Sequence, residues 1–343
     1  MAIERMTPAS AGFAMPAEWE THAGCLMAWP CRRELWGGRF GEAKVEYAAV
    51  ARAVAGFEPL TMVCNPGDEA EVRNRCGGEV EILVAPIDDS WMRDSGPIFV
   101  RNQRGDIAAV DFEFNAWGER WHPYDNDNRV PEVVAAHLGV PRFRAPFVLE
   151  GGAILVDGEG TLLTTEECLL NPNRNPTLSR GQIEQGLRDY LGVSTVLWLK
   201  RGHSLDHGPE GTDGHVDGIA QYVAPGHILL TLSDNPGSSE HLAGPENTQA
   251  LDGARDARGR ALEVSGLDPG PGIAPEYCNF YVANGGIIVP TFGRDGERFI
   301  LARIGELYPG REVVGVPGEV IAFGGGGPHC ITQQIPTGGP ASL

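Results

Sequence analysis

The sequence predicts an α+β protein, and three observations carry the prediction. Five segments with helical apolar spacing are spread along the chain, each embedded among short β-branched runs. The stretch 280–289 is two such runs around Asn284-Gly285, the dipeptide that most strongly marks a tight hairpin, so antiparallel pairing is present. The 343 residues include 47 Gly and 26 Pro, a turn-rich composition that a helical bundle would not carry.

In chain order the helical segments fall at 43–55, 131–138, 179–191, 246–258 and 296–307. The second has Pro131 in its first turn, where the missing N–H costs nothing, and stops at Gly139. The third is the best defined: Ser179 stands at the cap, Ile183, Leu187 and Leu191 share a face, and Gly192 follows. Strands are expected at 60–64, 80–85, 107–112, 153–156, 195–199, 228–232, 313–316 and 320–323. No Ser/Gly/Pro tract is long enough to separate domains, so residues 1–343 are expected to form one domain. The loops 201–214, 233–245 and 265–277 read as surface excursions of a length that often serves as a functional lid. The pattern fits an irregular α+β domain or five related strand-rich modules, and no sequence repeat decides between them.

Charge narrows the function. Lys+Arg 27 against Asp+Glu 46 leaves −19, and so acidic a body is repelled by phosphate backbones and anionic membranes while attracting small cations. Nucleic-acid and membrane partners are therefore not expected. No apolar run reaches the roughly 18 residues of a membrane span, and the opening MAIERMTPASAGF lacks the charged-then-apolar order of a signal peptide, so a cytoplasmic location is expected. The seven cysteines (Cys25, Cys31, Cys64, Cys76, Cys168, Cys278, Cys330) are scattered without a C-x-x-C pair, which speaks against a disulfide scaffold or a structural zinc site.

The common cofactor and nucleophile signatures are absent: P-loop, H-E-x-x-H, G-x-S-x-G and G-x-G-x-x-G. The glycine run 324–327 leads into Pro328-His329-Cys330 rather than a helix, so it reads as backbone brought close to something bound. Cys330 at its end sits on unusual backbone, unlike a thiol inside an apolar strand such as Cys64, although a lone Cys-His pair is more often inert. Polar residues without obvious structural duty cluster at Asp88-Asp-Ser-Trp-Met-Arg-Asp94, Glu150-Gly-Gly152 and Gly211-Thr-Asp-Gly-His-Val-Asp217. Asp94 alone could cap a turn. Glu150 interrupts an apolar run and so needs a partner, while His215 and Asp217 alternate at strand spacing and point to one face. Several carboxylates, one His and one Cys, with no basic residue obviously among them, call for a cation. A guanidinium is planar, permanently charged and matches carboxylates bidentately, and Trp91 is placed to offer it a face.

In this order and separation the segments resemble the agmatine deiminases of the guanidino-modifying superfamily, related to peptidylarginine deiminase. The resemblance runs from Met15-Pro-Ala-Glu-Trp-Glu20 through Asp89-Ser-Trp-Met-Arg-Asp-Ser-Gly-Pro97, Phe114-Asn-Ala-Trp-Gly118, Leu149-Glu-Gly-Gly152, Asn171-Pro-Asn-Arg-Asn-Pro176 and Gly211-Thr-Asp-Gly-His-Val-Asp217 to His329-Cys-Ile-Thr-Gln-Gln334. It implies a pentein-type α/β propeller, five ββαβ-like modules with pseudo-fivefold symmetry around a central channel, assembled as a homodimer or larger homo-oligomer. It also implies Cys330 as nucleophile, His215 as general acid and base, Glu150 as the carboxylate beside that histidine, and Asp94 and Asp217 as guanidinium-binding groups. Trp91 is added to the binding set by its place before Asp94. No cofactor and no metal are expected. The implied reaction is deimination of a small cationic guanidine, agmatine and water giving N-carbamoylputrescine and ammonia through a covalent thiouronium, a step of polyamine biosynthesis. Two departures flank this set: Gly218 where the family usually has Asn, and Gly327-Pro328 where it usually has Asn-Ile. Another guanidino compound is therefore an alternative substrate; peptidylarginine is disfavoured, since the related bacterial enzymes are exported.

Two rival functions stand beside this one. A metal-dependent hydrolase would use His203, His207, His215 and Asp217, with Asp206 and Asp213 nearby; but 202–209 is turn-rich, so the spacing of His203 and His207 is not that of helical ligands. The other is a guanidine-binding protein without turnover. Trp19, Trp29, Trp36, Trp117, Trp121 and Trp198 read as core or interface aromatics, Arg174 as the partner of an acidic neighbour, and Cys25 and Cys31 as packed thiols.

Overall fold

Five sheets share one local plan: two strands pair antiparallel, a helix crosses over, and the next strand returns parallel to the second. A computed structural model describes residues 6–204, 206–272 and 274–341; the first five residues of the opening segment lie outside the described residues. Ile98–Asn102 and Asp106–Glu113 pair antiparallel, and after the helix Val130–Leu138 the strand Arg142–Val148 joins parallel. Ile154–Val156, Thr161–Thr165, helix Arg180–Leu191 and Thr195–Leu199 repeat the plan. So do Ala220–Ala224, His227–Thr231, helix Ala243–Leu251 and Glu263–Leu267. Tyr281–Ala283, Gly286–Thr291, helix Glu297–Leu307 and Glu312–Pro317 form the fourth copy. The last sheet joins the two ends of the described chain. Thr332–Pro336 pairs antiparallel with His22–Ala28, which leads through helix Phe40–Ala55 to Leu60–Cys64 and then to Glu81–Val84, both parallel. A parallel neighbour requires such a crossover, whereas the antiparallel pair needs only a turn, as at Gly285 with φ 82°.

The helices form where end signals and apolar spacing agree. In Arg180–Leu191 the side chain of Gln182 accepts the Ser179 N–H at 2.9 Å, Ile183, Leu187 and Leu191 are buried, and Gly192 closes the helix at φ 67°. Two expectations fail for physical reasons. The helix expected to 258 ends at Leu251 because the Asp256 carboxylate takes the N–H groups of Arg258 and Arg260 at 2.9 and 2.8 Å, a turn that competes with helix. The expected strand 320–323 is instead the helix Glu319–Phe323, because buried Glu46 accepts the N–H groups of Val320 and Ile321, both at 2.9 Å, and so caps its start. The strand His22–Ala28 carried no readable signal, being buried almost throughout and so lacking alternation.

All seven cysteines are free thiols. No helix among the described residues is long and apolar enough to cross a membrane. The plan fixes the site in one respect. The polar residues singled out above lie just ahead of the first strand of a sheet: Asp94 before Ile98–Asn102, Glu150 before Ile154–Val156, His215 and Asp217 before Ala220–Ala224, and Cys330 before Thr332–Pro336.

Candidate functional site

Those segments converge. Oδ1 of Asp94 lies 3.9 Å from Nδ1 of His215, Oδ1 of Asp217 lies 4.0 Å from the same atom, and Oδ2 of Asp217 lies 3.5 Å from Sγ of Cys330. Glycine at 152 makes this possible: a Cβ there would stand 2.6 Å from Nδ1 of His215 and 2.9 Å from a carboxylate oxygen of both Asp94 and Asp217. The Gly152 N–H is used as well, donating to Oδ1 of Asp94 at 2.9 Å. The second oxygen of Asp94 accepts the indole N–H of Trp117, also at 2.9 Å.

Glu150 is fully buried and takes the Arg174 guanidinium at 2.6 Å; the same Arg174 donates to Asp213 at 2.8 Å and to the carbonyl of Thr212 at 2.7 Å. Arg174 thus pairs with acidic neighbours, as its place in the sequence suggested. Among the described residues no group hydrogen-bonds to Oε2 of Glu150 or to either ring nitrogen of His215. The Cys168 thiol and the carboxylates of Asp94 and Asp217 are among the polar groups nearest that ring.

Asp217 is held from behind. Nδ1 of His329 lies 2.7 Å from its Oδ2, Nε2 of His329 lies 3.0 Å from both oxygens of Glu18, and Arg93 donates to Glu18 at 3.4 Å and to Gln334 at 2.8 Å. Burial would raise the carboxyl of Glu18, but the charges of His329 and Arg93 outweigh it and hold the group down at about 2. Asp217 is likewise lowered against its burial, chiefly by His329. The opposite holds for Asp94, which burial raises and which neighbouring Asp217 and Glu150 raise further. Burial opposes the charging of His215, yet Asp94, Cys168 and Asp217 push it well above its ordinary value. The Cys330 thiol is pushed well up by burial and by the charges of Asp217, Asp94 and Glu276.

Two cavities flank Cys330. One is a narrow cleft lined by Leu35, Trp91, Asp94, Trp117, Trp121 and Glu210. The other, equally narrow, is lined by His203, Asp206, His215, Asp217, Gly218 and Glu276. The glycine run 324–327 is close backbone approach, as expected: a Cβ on Gly326 would stand 2.7 Å from the Trp91 ring and 2.9 Å from Sγ of Cys330. Trp117 is a core aromatic, as expected, Trp121 packs against the same core, and both also line the cleft beside Trp91. Loops 201–214 and 265–277 do reach the site, through His203, Asp206, Glu210, Thr212 and Glu276, while Leu205 and Ile273 in them lie outside the described residues.

The rival metal ligands do not assemble. Nε2 of His203 bonds the carbonyl of Ala274 at 3.0 Å, His207 faces Glu167 at 3.6 Å, and Asp217 is bonded to His329. The structure groups Glu150, Cys168 and His215 instead, with one ligand atom of each within 4.8 Å of the others. Oε1 of Glu150 is already bonded to Arg174 there.

Sequence reasoning missed Glu18, Arg93, Cys168, Glu276, Asn279 and His329. Asn279 alone carried a signal of position, just ahead of the hairpin strand Tyr281–Ala283, where the other sheets place their site residues.

The family described as Porphyromonas-type peptidyl-arginine deiminase matches residues 14–336. Agmatine deiminase of Pseudomonas aeruginosa (strain LESB58) is 42% identical, the match covering 96% of this chain and 97% of the relative. Among solved structures, agmatine deiminase of Enterococcus faecalis superposes with a TM-score of 0.92 at 36% identity, covering 98% of this chain and 99% of that one. A cysteine-to-serine variant of C. jejuni agmatine deiminase with substrate bound gives a TM-score of 0.84 at 25% identity, covering 95% of this chain and 97% of that one.

Proposed function

The chain belongs to the Porphyromonas-type peptidyl-arginine deiminase family and, within it, to the agmatine deiminases, and from that premise we propose that it converts agmatine and water to N-carbamoylputrescine and ammonia. It is a hydrolase of the C–N bonds of linear amidines. The observation that carries the reading is one buried constellation, in which Asp94, Asp217 and Glu150 surround His215 beside the Cys330 thiol. Asp94 and Asp217 take the guanidinium N–H groups, and the Trp91 face packs against the planar cation. The substrate's charge offsets the carboxylates and helps Cys330 lose its proton.

The thiolate then attacks the guanidinium carbon and forms the S–C bond. His215 gives its proton to the departing nitrogen, the C–N bond breaks, and ammonia leaves a cationic thiouronium on Cys330. Glu150 acts through its contact with the histidine region and its anchor on Arg174. Neutral His215 next takes a proton from water as the oxygen adds to carbon. Collapse of that adduct expels the thiolate, frees the urea and releases one proton, which ends on ammonia as ammonium. No redox partner enters the balance.

The aromatic cleft that Glu210 helps to line suits an aminoalkyl tail, with the Glu210 carboxylate as the partner of the terminal ammonium. Enclosure of Cys330, 4% exposed, favours a free small guanidine over a peptide-borne one. The same reading arranges the five sheets about a pseudo-fivefold axis, residues 1–343 as one domain, and the chain as a homo-oligomer. Ammonia release from agmatine, arginine, longer and shorter guanidinoalkylamines and a blocked arginine peptide tests it, with Cys330→Ala as control. Agmatine turnover that vanishes in the variant is the expected result. A panel without turnover, or turnover that survives the variant, overturns the reading.

A further inference from the structure

We propose that Asn279 is a catalytic residue whose side-chain amide N–H holds the Cys330 sulfur as thiolate; the proposal rests on the deimination reading above. Four of the five sheets place a site residue just ahead of their first strand, and in the remaining sheet that position is Asn279, ahead of Tyr281–Ala283. The residue is fully buried. Its Nδ2 lies 3.1 Å from Sγ of Cys330.

The direction of the amide follows from its neighbours. Its other end lies 3.1 Å from the backbone nitrogen of His329 and 3.3 Å from that of Cys330, and both of those groups can only donate. The oxygen must therefore face the 329–330 backbone, which leaves the NH₂ group turned to the sulfur. The backbone is shaped around this residue: a Cβ on Gly327 would stand 2.7 Å from Oδ1 and 3.1 Å from Cβ of Asn279. The departure of Gly327 from the usual Asn of the family therefore adjoins Asn279 directly.

The chemistry needs such a donor. Every carboxylate around Cys330 favours the neutral thiol, and Oδ2 of Asp217, 3.5 Å away, can accept its S–H. An N–H aimed at sulfur favours the anion and strengthens as charge develops. It acts twice, when the S–H proton is lost before attack and when the S–C bond breaks and sulfur takes back the electron pair. Meanwhile the carbonyl end ties the 329–330 backbone, so sulfur and donor move together.

The test compares the full chain with Asn279→Asp, which keeps an acceptor for the two backbone N–H groups but turns a carboxylate oxygen toward sulfur, and with Asn279→Ala, which adds no charge. Alkylation of Cys330 by iodoacetamide is followed against pH on the Cys330 peptide, alongside ammonia release from agmatine. In Asn279→Asp the alkylation midpoint should rise by more than about one pH unit and kcat should fall on the order of 100-fold, the deficit shrinking as pH rises. Asn279→Ala should shift both in the same direction by less. An alkylation profile that coincides with the unsubstituted protein in the variants overturns the proposal, even if activity is lost, because a purely structural role leaves the thiol's titration in place. Alkylation needs no substrate, so absence of turnover in the unsubstituted protein would sink the deimination reading while the profiles still decide the role of Asn279.

Discussion

Asp94 and Asp217 are residues of one type, buried 3.9 and 4.0 Å from the same ring nitrogen of His215, and they are held in opposite ways. Asp94 is held by two neutral donors, the Trp117 indole and the Gly152 N–H. Asp217 is held by a cation, His329, itself backed by Glu18 and Arg93. The same burial therefore ends in opposite shifts, upward for Asp94 and downward for Asp217. A positive charge placed beside Asp94 favours its ionised form, as the charge of His215 already does.

The comparison can be broken most severely at His329. His329→Ala leaves Asp217 and Glu18 without the imidazolium between them, and loss of one partner from a buried ionic cluster should cost about 3–5 kcal/mol in urea unfolding. A loss under about 1 kcal/mol would mean that Arg93 alone neutralises the cluster. Glu18 sharpens the same side through pH. Its folded value near 2 lies below the ordinary 4.5, so its stabilisation is present above 4.5 and disappears as pH falls toward 2. Glu18→Gln should accordingly flatten the acid side of the stability curve by about 3 kcal/mol; an acid limb as steep as before would place the titration elsewhere.

Asp94 is expected to behave differently. Asp94→Asn should change stability by only about 1 kcal/mol, since its donors are neutral, while kcat/KM for agmatine falls on the order of 100-fold through loss of a charge-assisted bond to the guanidinium. Equal damage to folding and to turnover would erase the distinction between the two aspartates. Glu276 makes a smaller contribution: burial and nearby acidic groups raise it to about 7, so it is neutral below that pH and charged above it. KM for a cationic substrate should fall a few-fold between pH 6 and 8, and Glu276→Gln should remove that slope. Gly218→Asn is the mildest change, its Cβ coming 3.2 Å from Oε2 of Glu276, and should alter KM across the guanidine panel by a few-fold with kcat nearly unchanged.

Much of this molecule was legible before any coordinate. The α+β class, the five crossover helices and the hairpin at Asn284-Gly285 follow from local periodicity and turn chemistry, which act over a few residues and so are written in the chain. Cys330, His215, Asp94, Asp217 and Glu150 could be singled out because polar residues beside glycines or inside apolar runs are locally out of place. The tertiary structure decided what no local rule reaches. Glu319–Phe323 is helical because Glu46, distant in sequence, caps it, and His22–Ala28 is a strand because its sheet buries it almost completely. Protonation was decided there too. Asp94 and Asp217 look alike in sequence, but their charges depend on donors from other segments, Trp117 for one and His329 for the other. Electrostatic energy in a buried site is set by distances through space of a few ångströms, and the chain alone specifies only separations along itself.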